Sequence, residues 1–246
     1  LQTGGAERIA VTYANLLSTE IDKAFLCATR LEGDLKNALS QEVEYLFLNK
    51  KRTIDFKAIK KLNGFINTHK INVVHAHSTS YFLGTILKLL NRDIKLVWHD
   101  HYGNSEFVNN RKHSILKLCS YKFNSIISVN VILKKWAEEK LKCNAIFYLY
   151  NTVVAKNIEI KETFLKGEDG KRILCLANLR PQKNHFILIE AFSKVAKTHK
   201  DWTLHLVGND KKDDYSKKLK KTIIDLNLEN SVFIYGSKND VNNILN

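Results

Sequence analysis

Arg172-Ile-Leu-Cys-Leu-Ala-Asn-Leu-Arg180-Pro181-Gln-Lys183-Asn184-His-Phe-Ile-Leu-Ile-Glu-Ala-Phe192 is the stretch on which the reading of this chain turns. Residues 173–177 form a short apolar run with the length of a buried strand. A polar turn follows, then a helix pattern from about Asn184. Along it Leu188, Phe192, Val195 and Ala196 fall at core-facing spacing, with Glu190, Lys194 and Lys197 opposite. Arg180 and Lys183 stand at the start of that helix, where the peptide dipoles disfavour cations. Free helix-terminal N–H groups together with two cations suit a strong anion such as a phosphate. A solvated basic turn is the alternative reading of the same residues.

Outward from this stretch, helix and strand signals alternate. Helix patterns lie near 6–17, 55–69, 80–90, 112–121 and 131–141; strand patterns lie near 24–28, 43–48, 71–77, 94–99, 125–129 and 145–149. Strand, helix, strand, helix and strand then follow from Ile173 to Tyr235. Such alternation predicts an α/β protein with parallel sheets covered by helices on both faces. It breaks over 151–170, a polar span holding Gly167 and Gly170, which reads as a linker. The expected domains are therefore 1–155 and 170–246. The second holds only three strands, too few for a complete doubly wound domain.

At 246 residues the chain is long enough for two modest domains, and its 44% hydrophobic and 26% charged content is that of a globular protein. The longest apolar run, around 145–150, is far short of the roughly 18 residues a membrane span needs. Nor do the first residues carry a charged-then-apolar leader pattern. Cys27, Cys119, Cys143 and Cys175 include no CxxC pair and read as reduced thiols of a cytoplasmic protein. The net charge of +14 points to anionic partners. Its lysine runs, such as Lys50-Lys51-Arg52 and Lys217-Lys218-Lys220-Lys221, fit solvated helix faces or an anionic membrane face. No nucleic-acid recognition signature accompanies them, so nucleic acid is not an expected partner. The count of zero Met and an opening directly into a glycine turn lead us to expect a fragment or an incomplete record.

Two further constellations carry chemistry. Thr3-Gly4-Gly5-Ala6-Glu7-Arg8 opens into an amphipathic helix, and paired glycines at a helix start allow close backbone approach to an anion. Taken alone, the glycines read more simply as a plain turn. Ile71-Asn-Val-Val-His75-Ala-His77-Ser78 and Leu96-Val-Trp98-His99-Asp100-His101-Tyr102-Gly103 are apolar strands ending in paired histidines. Period-two alternation puts each pair on one face, at the C-terminal strand ends where open parallel sheets bind ligands. Helix capping is the bland explanation, above all for His75. Metal ligation is another, since His-x-His suits zinc or a dinuclear centre. Such hydrolases need additional ligands from other strand ends, and the sequence offers no clear set, so no metal is expected. His69, His113, His199 and His205 read as structural or surface residues.

The 172–192 segment resembles the start of the second domain in glycosyltransferase family 4, retaining sugar-nucleotide transferases of the GT-B fold. Pro181, Lys183 and Ala191-Phe192 match that family's strand, Pro-x-Lys turn and helix. Ala177-Asn178 stands where Gly-Arg is commoner, with Arg180 two places on. Gly4, Gly5, Glu7 and Arg8 are similar to the family's Gly-Gly-x-Glu-Arg loop, and Tyr150-Asn151-Thr152 resembles its Tyr-Asn-Gly domain crossing. Leu206-Val207-Gly208 resembles its strand before Gly-x-Gly, and Phe233-Ile-Tyr235-Gly236-Ser237 with Asp240-Val241 its Phe-x-Gly segment and following helix cap.

The resemblance implies a fold of two Rossmann-like doubly wound domains, the second incomplete. It also implies transfer of a sugar from a nucleoside diphosphate sugar to a saccharide or lipid-linked acceptor, in surface polysaccharide synthesis, without a cofactor. By that resemblance His99, Arg180 and Lys183 are the catalytic residues: His99 lines the transferred sugar, with His101 in reserve, and the two cations stabilise the leaving diphosphate. Gly4, Gly5, Gly208, Gly236 and Ser237 are expected to bind the donor, and His77, His101 and Tyr102 to lie on the acceptor side. The family's two sugar- and ribose-holding glutamates would fall after Asn246. A cytoplasmic protein in peripheral contact with the inner membrane face is the matching location. A metal-dependent hydrolase using the histidine pairs and a non-catalytic sugar-nucleotide-binding module are the rival readings.

Overall fold

The computed structural model describes residues 1, 4–151, 162–238 and 240–245. The chain divides into two compact units, Leu1–Val153 and Val154–Asn246.

In the first unit α1 (Gly5–Leu17) leads into β1 (Ala24–Ala28) and β2 (Val43–Phe47). There follow α2 (Phe56–Thr68), β3 (Val73–His77), α3 (Tyr81–Leu90), β4 (Lys95–Asp100), α4 (Ser114–Ser120), β5 (Ser125–Ser128), α5 (Val131–Lys140) and β6 (Ile146–Tyr148). Helix starts are set by the sequence. The Asp55 carboxylate accepts from the Ala58 amide at the start of α2, and the Asn130 side chain from the Leu133 amide at the start of α5. All strand pairings are parallel, in a two-stranded sheet β1-β2 and a four-stranded sheet β3-β4-β5-β6. Leu96, Trp98 and Ile126 are fully buried and pack with Leu133 and Trp136. Strands covered on both faces read as near-continuous apolar runs, which is why they were legible. Among the described residues no strand pairing joins β1 to β3.

The second unit holds β7 (Arg172–Leu176), α6 (His185–Thr198), β8 (Thr203–Val207), α7 (Asp214–Asp225), β9 (Val232–Gly236) and α8 (Val241–Leu245). Its sheet is parallel in the order β7-β8-β9. β8 is buried over its whole length, and its Leu204 and Leu206 pack with Leu179, Ile189, Phe192 and Leu219. Asp213 caps α7 by accepting from the Ser216 amide.

The 151–170 span differs from the linker expected of it. Residues 152–161, Thr152 of the crossing motif among them, lie outside the described residues. Residues 162–170 are part of the second unit. The amides of Glu162 and Thr163 donate to the Asp240 carboxylate at 3.0 and 2.6 Å, the Thr163 hydroxyl adds a third bond at 2.8 Å, and the Lys166 amide donates to the Tyr235 hydroxyl. A segment held by an aspartate so far along the chain needs no hydrophobic periodicity, so its polar composition resembled a linker. Asp240 lies directly ahead of α8, and the Ile244 amide donates to its carbonyl. Cys27, Cys119, Cys143 and Cys175 are free thiols. Among the described residues, no helix is long and apolar enough to cross a membrane.

Candidate functional site

The register of β3 on β4 sets His77 opposite His99. Alternation along each strand then brings His75 and His101 to the same face. The four imidazoles form one cluster: ring centroids are 4.4 Å apart for His75 and His77, 5.1 Å for His77 and His99, and 4.1 Å for His99 and His101. His77 Nδ1 and His101 Nε2 share a hydrogen bond of 3.0 Å. Tyr13 of α1 stacks on His75 and His99, with centroids at 6.0 and 5.7 Å. His75 is thus a member of a stacked cluster and caps no helix. His99 is fully buried, whereas His77 and His101 are half-buried. The outer positions therefore belong to His77 and the reserve residue His101, and His99 lies behind them.

Burial governs the charge of the cluster. Desolvation pushes His75 and His101 down to about 4, His99 to about 3 and His77 to about 2, and neighbouring imidazoles add to the fall at His77, His99 and His101. All four rings are therefore neutral near pH 7, and each can donate from one nitrogen and accept at the other. Neither ring nitrogen of His99, nor Nε2 of His75, has a hydrogen-bond partner among the described residues. Polar atoms left so in a buried site mark a place that a hydroxyl-bearing ligand can satisfy.

His75, His77 and His99 also bring ligand atoms within 4.8 Å of one another, the spacing of a metal triad. Their ring orientation is poor for that task. His75 and His99 are stacked at 5.3 Å with planes 2° apart. Imidazole lone pairs lie in the ring plane, so two stacked parallel rings direct them side by side. They do not converge on an ion that must sit about 2.0–2.1 Å from each nitrogen. Binding one ion through all three would require a ring to turn out of the stack.

The loop leaving β4 is pinned by a pair that sequence reasoning missed. Arg111 grips Asp100 through two hydrogen bonds of 2.6 and 3.1 Å, and its guanidinium lies over the Tyr102 and Trp136 rings at 4.4 and 4.7 Å. Burial raises the Asp100 carboxyl against the opposing pull of Arg111 and the Tyr102 amide. This clamp fixes the backbone that carries His101 and places Tyr102 beneath Arg111. Tyr13 was missed for another reason: its position on α1 reads as ordinary core.

At the glycine loop, Gly4 is the cap residue of α1 and Gly5 its first, exposed residue; Thr3 lies outside the described residues. The Glu7 carboxylate folds back over Gly4, where a Cβ would meet Glu7 Oε2 at 2.2 Å. The helix start therefore carries an internal anion, as half of a capping box does. An incoming phosphate would have to displace it.

In the second unit the chain leaves β7 through Ala177 and Asn178, makes a 3-10 turn over Pro181–Lys183, and enters α6 from Asn184. Asn184 is left-handed, with φ 49° and ψ 47°, a conformation asparagine tolerates better than most residues. Arg180 and Lys183 are both exposed at this helix start. The His185 amide donates to the Tyr215 hydroxyl at 3.1 Å, so one helix-terminal donor is taken from within. Gly208, just past β8, has a reason of its own to be glycine: a Cβ there would lie 2.1 Å from the Ala177 carbonyl oxygen. Its amide donates to the Gly236 carbonyl at the end of β9, and Ser237 follows, exposed. His205, buried in the same sheet, is satisfied at both ring nitrogens by Thr203 and Tyr235 and is structural.

Two family models match the chain in succession: Glycosyltransferase Family 4 over residues 3–155, and Glycosyl transferases group 1 over residues 156–246. No match was found among curated proteins. The solved structure of Anabaena HepE in complex with UDP and glucose superposes with a TM-score of 0.75 at 19% identity, covering 99% of this chain and 69% of that one. A glycosyltransferase from Rickettsia africae gives 0.68 at 19% identity, covering 99% and 68%. The lipopolysaccharide outer core galactosyltransferase WaaB gives 0.58 at 14% identity, covering 99% and 67%. At such identities the likeness establishes the fold, that of the GT-B transferases, with a second unit shorter than theirs.

Proposed function

The chain belongs to glycosyltransferase family 4, and from that premise we propose that it moves a sugar from a nucleoside diphosphate sugar to a saccharide or lipid-linked acceptor, with retention of anomeric configuration. The observation that carries the donor class is the turn at the start of α6. As the glycosidic bond breaks, negative charge collects on the leaving diphosphate. Arg180 and Lys183 beside a helix N-terminus are positioned to stabilise it. Neutral imidazoles suit the other partner of the reaction. His99, with open ring nitrogens, and the outer His101 offer hydrogen bonds to sugar hydroxyls without placing a charge against them. His77 and Tyr102 border the same strand ends on the acceptor side. That HepE was solved with UDP and glucose supports the donor class.

A role in surface polysaccharide synthesis at the inner face of the membrane accords with this chemistry. It is supported by the net charge of +14 and by exposed Ile115, Leu118 and Tyr121 on and beside α4, near Lys112, Lys117 and Lys122. The family assignment removes the hydrolase reading.

The deciding experiment is Lys183→Ala in the enzyme, assayed for turnover and titrated with UDP. We expect kcat to fall by about a hundredfold, the loss typical of removing one charge-stabilising donor, with weakened UDP binding. Unchanged kinetics would take Lys183 out of the site.

A further inference from the structure

The loops that leave β1 and β2 carry cations that the transfer chemistry does not use. Between Phe47 and Lys61 stand Lys50, Lys51, Arg52, Lys57, Lys60 and Lys61 against one acid, Asp55. By composition they read as a solvated face, but the structure orders the first of them. Asn49 turns the chain with φ 51°, and the Lys50 amide donates to the Thr29 carbonyl at 2.8 Å. Asp55 closes the loop by accepting from the Lys51 and Ala58 amides at 3.0 and 3.1 Å. The loop after β2 is thereby laid against the loop after β1, which carries Arg30.

Lys50 is half-buried, and its ammonium donates to the Thr53 carbonyl at 3.0 Å. Burial, and then the positive charge of Arg30, hold it below the usual lysine range, with Asp55 pulling the other way. Lysines elsewhere have acids beside them: Lys36 has Glu32, Lys134 has Glu138 and Lys220 has Asp210. Among the described residues no ion pair holds Arg30, Lys50, Lys51 or Arg52. Cations kept together without a counter-ion repel, and an anion seated between them removes that repulsion. Phosphate suits such a group, since an arginine forks onto two of its oxygens and a lysine adds a point charge.

Position says which phosphate. Ligands of open parallel sheets bind beyond the C-terminal strand ends. Arg30, past the end of β1, lines a cavity of about 480 Å³ that is also lined by His75, His77 and Ser78 at the end of β3. Glu7, the one acid among the lining residues, is folded over Gly4. Charged and neutral donors therefore border one space. The donor diphosphate has Arg180 and Lys183 in the second unit, so an anion held beside the histidines of the first belongs to the other substrate. We propose that Arg30, Lys50 and Lys51 bind a phosphate of the acceptor while His77 takes a hydroxyl of its sugar. The acceptor is then a sugar phosphate or diphosphate, the chemistry of a lipid-linked sugar, and not a neutral glycan. This rests on the transferase reading and narrows its acceptor.

The test titrates glucose 1-phosphate, glucose and inorganic phosphate by calorimetry into the Arg180→Ala/Lys183→Ala chain, so that donor-side cations do not answer for the result. Glucose 1-phosphate should bind tightest. Adding Arg30→Gln and Lys50→Gln should weaken it by about tenfold or more, the loss expected of two charged contacts. Lys218→Gln with Lys221→Gln, which removes the same charge from α7, should leave it unchanged, and Arg30→Lys with Lys50→Arg should retain most of the affinity. The dodecyl ester of glucose 1-phosphate reads the source: tighter binding than the parent supports a lipid-linked acceptor, equal binding a soluble sugar phosphate. Equal weakening by the loop and α7 pairs would reduce the site to diffuse charge and overturn it. Inorganic phosphate binding as tightly as glucose 1-phosphate would assign a free anion and overturn the acceptor. Loss of binding to phosphatidylglycerol vesicles alone, with glucose 1-phosphate unaffected, would assign a membrane face and overturn it as well. UDP titration of the chain with Arg180 and Lys183 intact reads the donor site separately, and its failure would sink the transfer reading without touching the phosphate titrations.

Discussion

At the ends of β3 and β4 stand four neutral, half-buried or buried imidazoles; beyond the end of β7 stand two exposed cations. The means of support differ as well. The first region is held by side chains: the Asp100–Arg111 clamp, the stacked Tyr13, the His77–His101 bond. The second is held by backbone: the left-handed Asn184, the close passage of Gly208 beneath Ala177, the Gly208 amide donating to the Gly236 carbonyl. A sugar is gripped by uncharged hydrogen bonds of fixed direction, which demand rigid, dry surroundings. A diphosphate is gripped by charge, which tolerates solvent and mobile side chains.

The sharpest blow to the side-chain-held region is Arg111→Leu. Asp100 is 1% exposed and would be left as an uncompensated buried charge, so we expect a loss of about 3–5 kcal/mol. Urea unfolding followed through Trp98 and Trp136, both in the first unit, measures it. Asp100→Asn combined with Arg111→Leu should recover part of the loss, and no recovery would show that the ion pair is not what matters.

The matching blow to the backbone-held region is Gly208→Ala. Its Cβ would meet backbone 2.1 Å away, and the strand must shift to admit it, at about 1–3 kcal/mol. Trp202 reports that unit. Destabilisation spread equally over both units would undo the contrast between them.

Acid should separate the two regions further. The cluster histidines lie near 2 to 4 when folded, against an ordinary value of 6.5. Between those values the unfolded chain binds protons that the folded one refuses. The stabilising contribution is therefore complete above pH 6.5 and is lost as pH falls through 4 and on toward 2, at about 1.4 kcal/mol per pH unit for each proton taken up. Among the described histidines of the second unit, His205 lies at about 4 and His185 is lowered, so above pH 4 its reporter should respond less steeply. Equal slopes for Trp98 and Trp202 would contradict the burial described for the cluster. The smallest effect concerns metal. We expect purified protein to carry no stoichiometric zinc and chelator to leave turnover intact; one zinc per chain, lost in His99→Ala, would mean that the stacked rings reorient.

What the sequence disclosed follows the same division. Strands, helices and the Arg180–Asn184 turn were legible because they depend on local periodicity and residue type. The pairing of His75 with His77 and of His99 with His101 followed from alternation, but their merger into one cluster needed the β3–β4 register. Arg111 was silent because its partner lies across an irregular loop. Gly208 was read as a ligand-binding glycine by resemblance, and its contact with Ala177 exists only once β7 and β8 are side by side.

The Asp240 carboxylate, which holds Glu162 and Thr163, also has a meaning in time. Those residues emerge from the ribosome 77 or more positions before the aspartate that secures them. At about 5–20 residues per second, the interval is on the order of 4–15 seconds. Through that interval β7, α6 and β8 can assemble while the segment leading into them stays loose. The segment is therefore fastened only once the cap ahead of α8 has been made, and a chain stalled before residue 240 would present a formed sheet with an unfastened leading end.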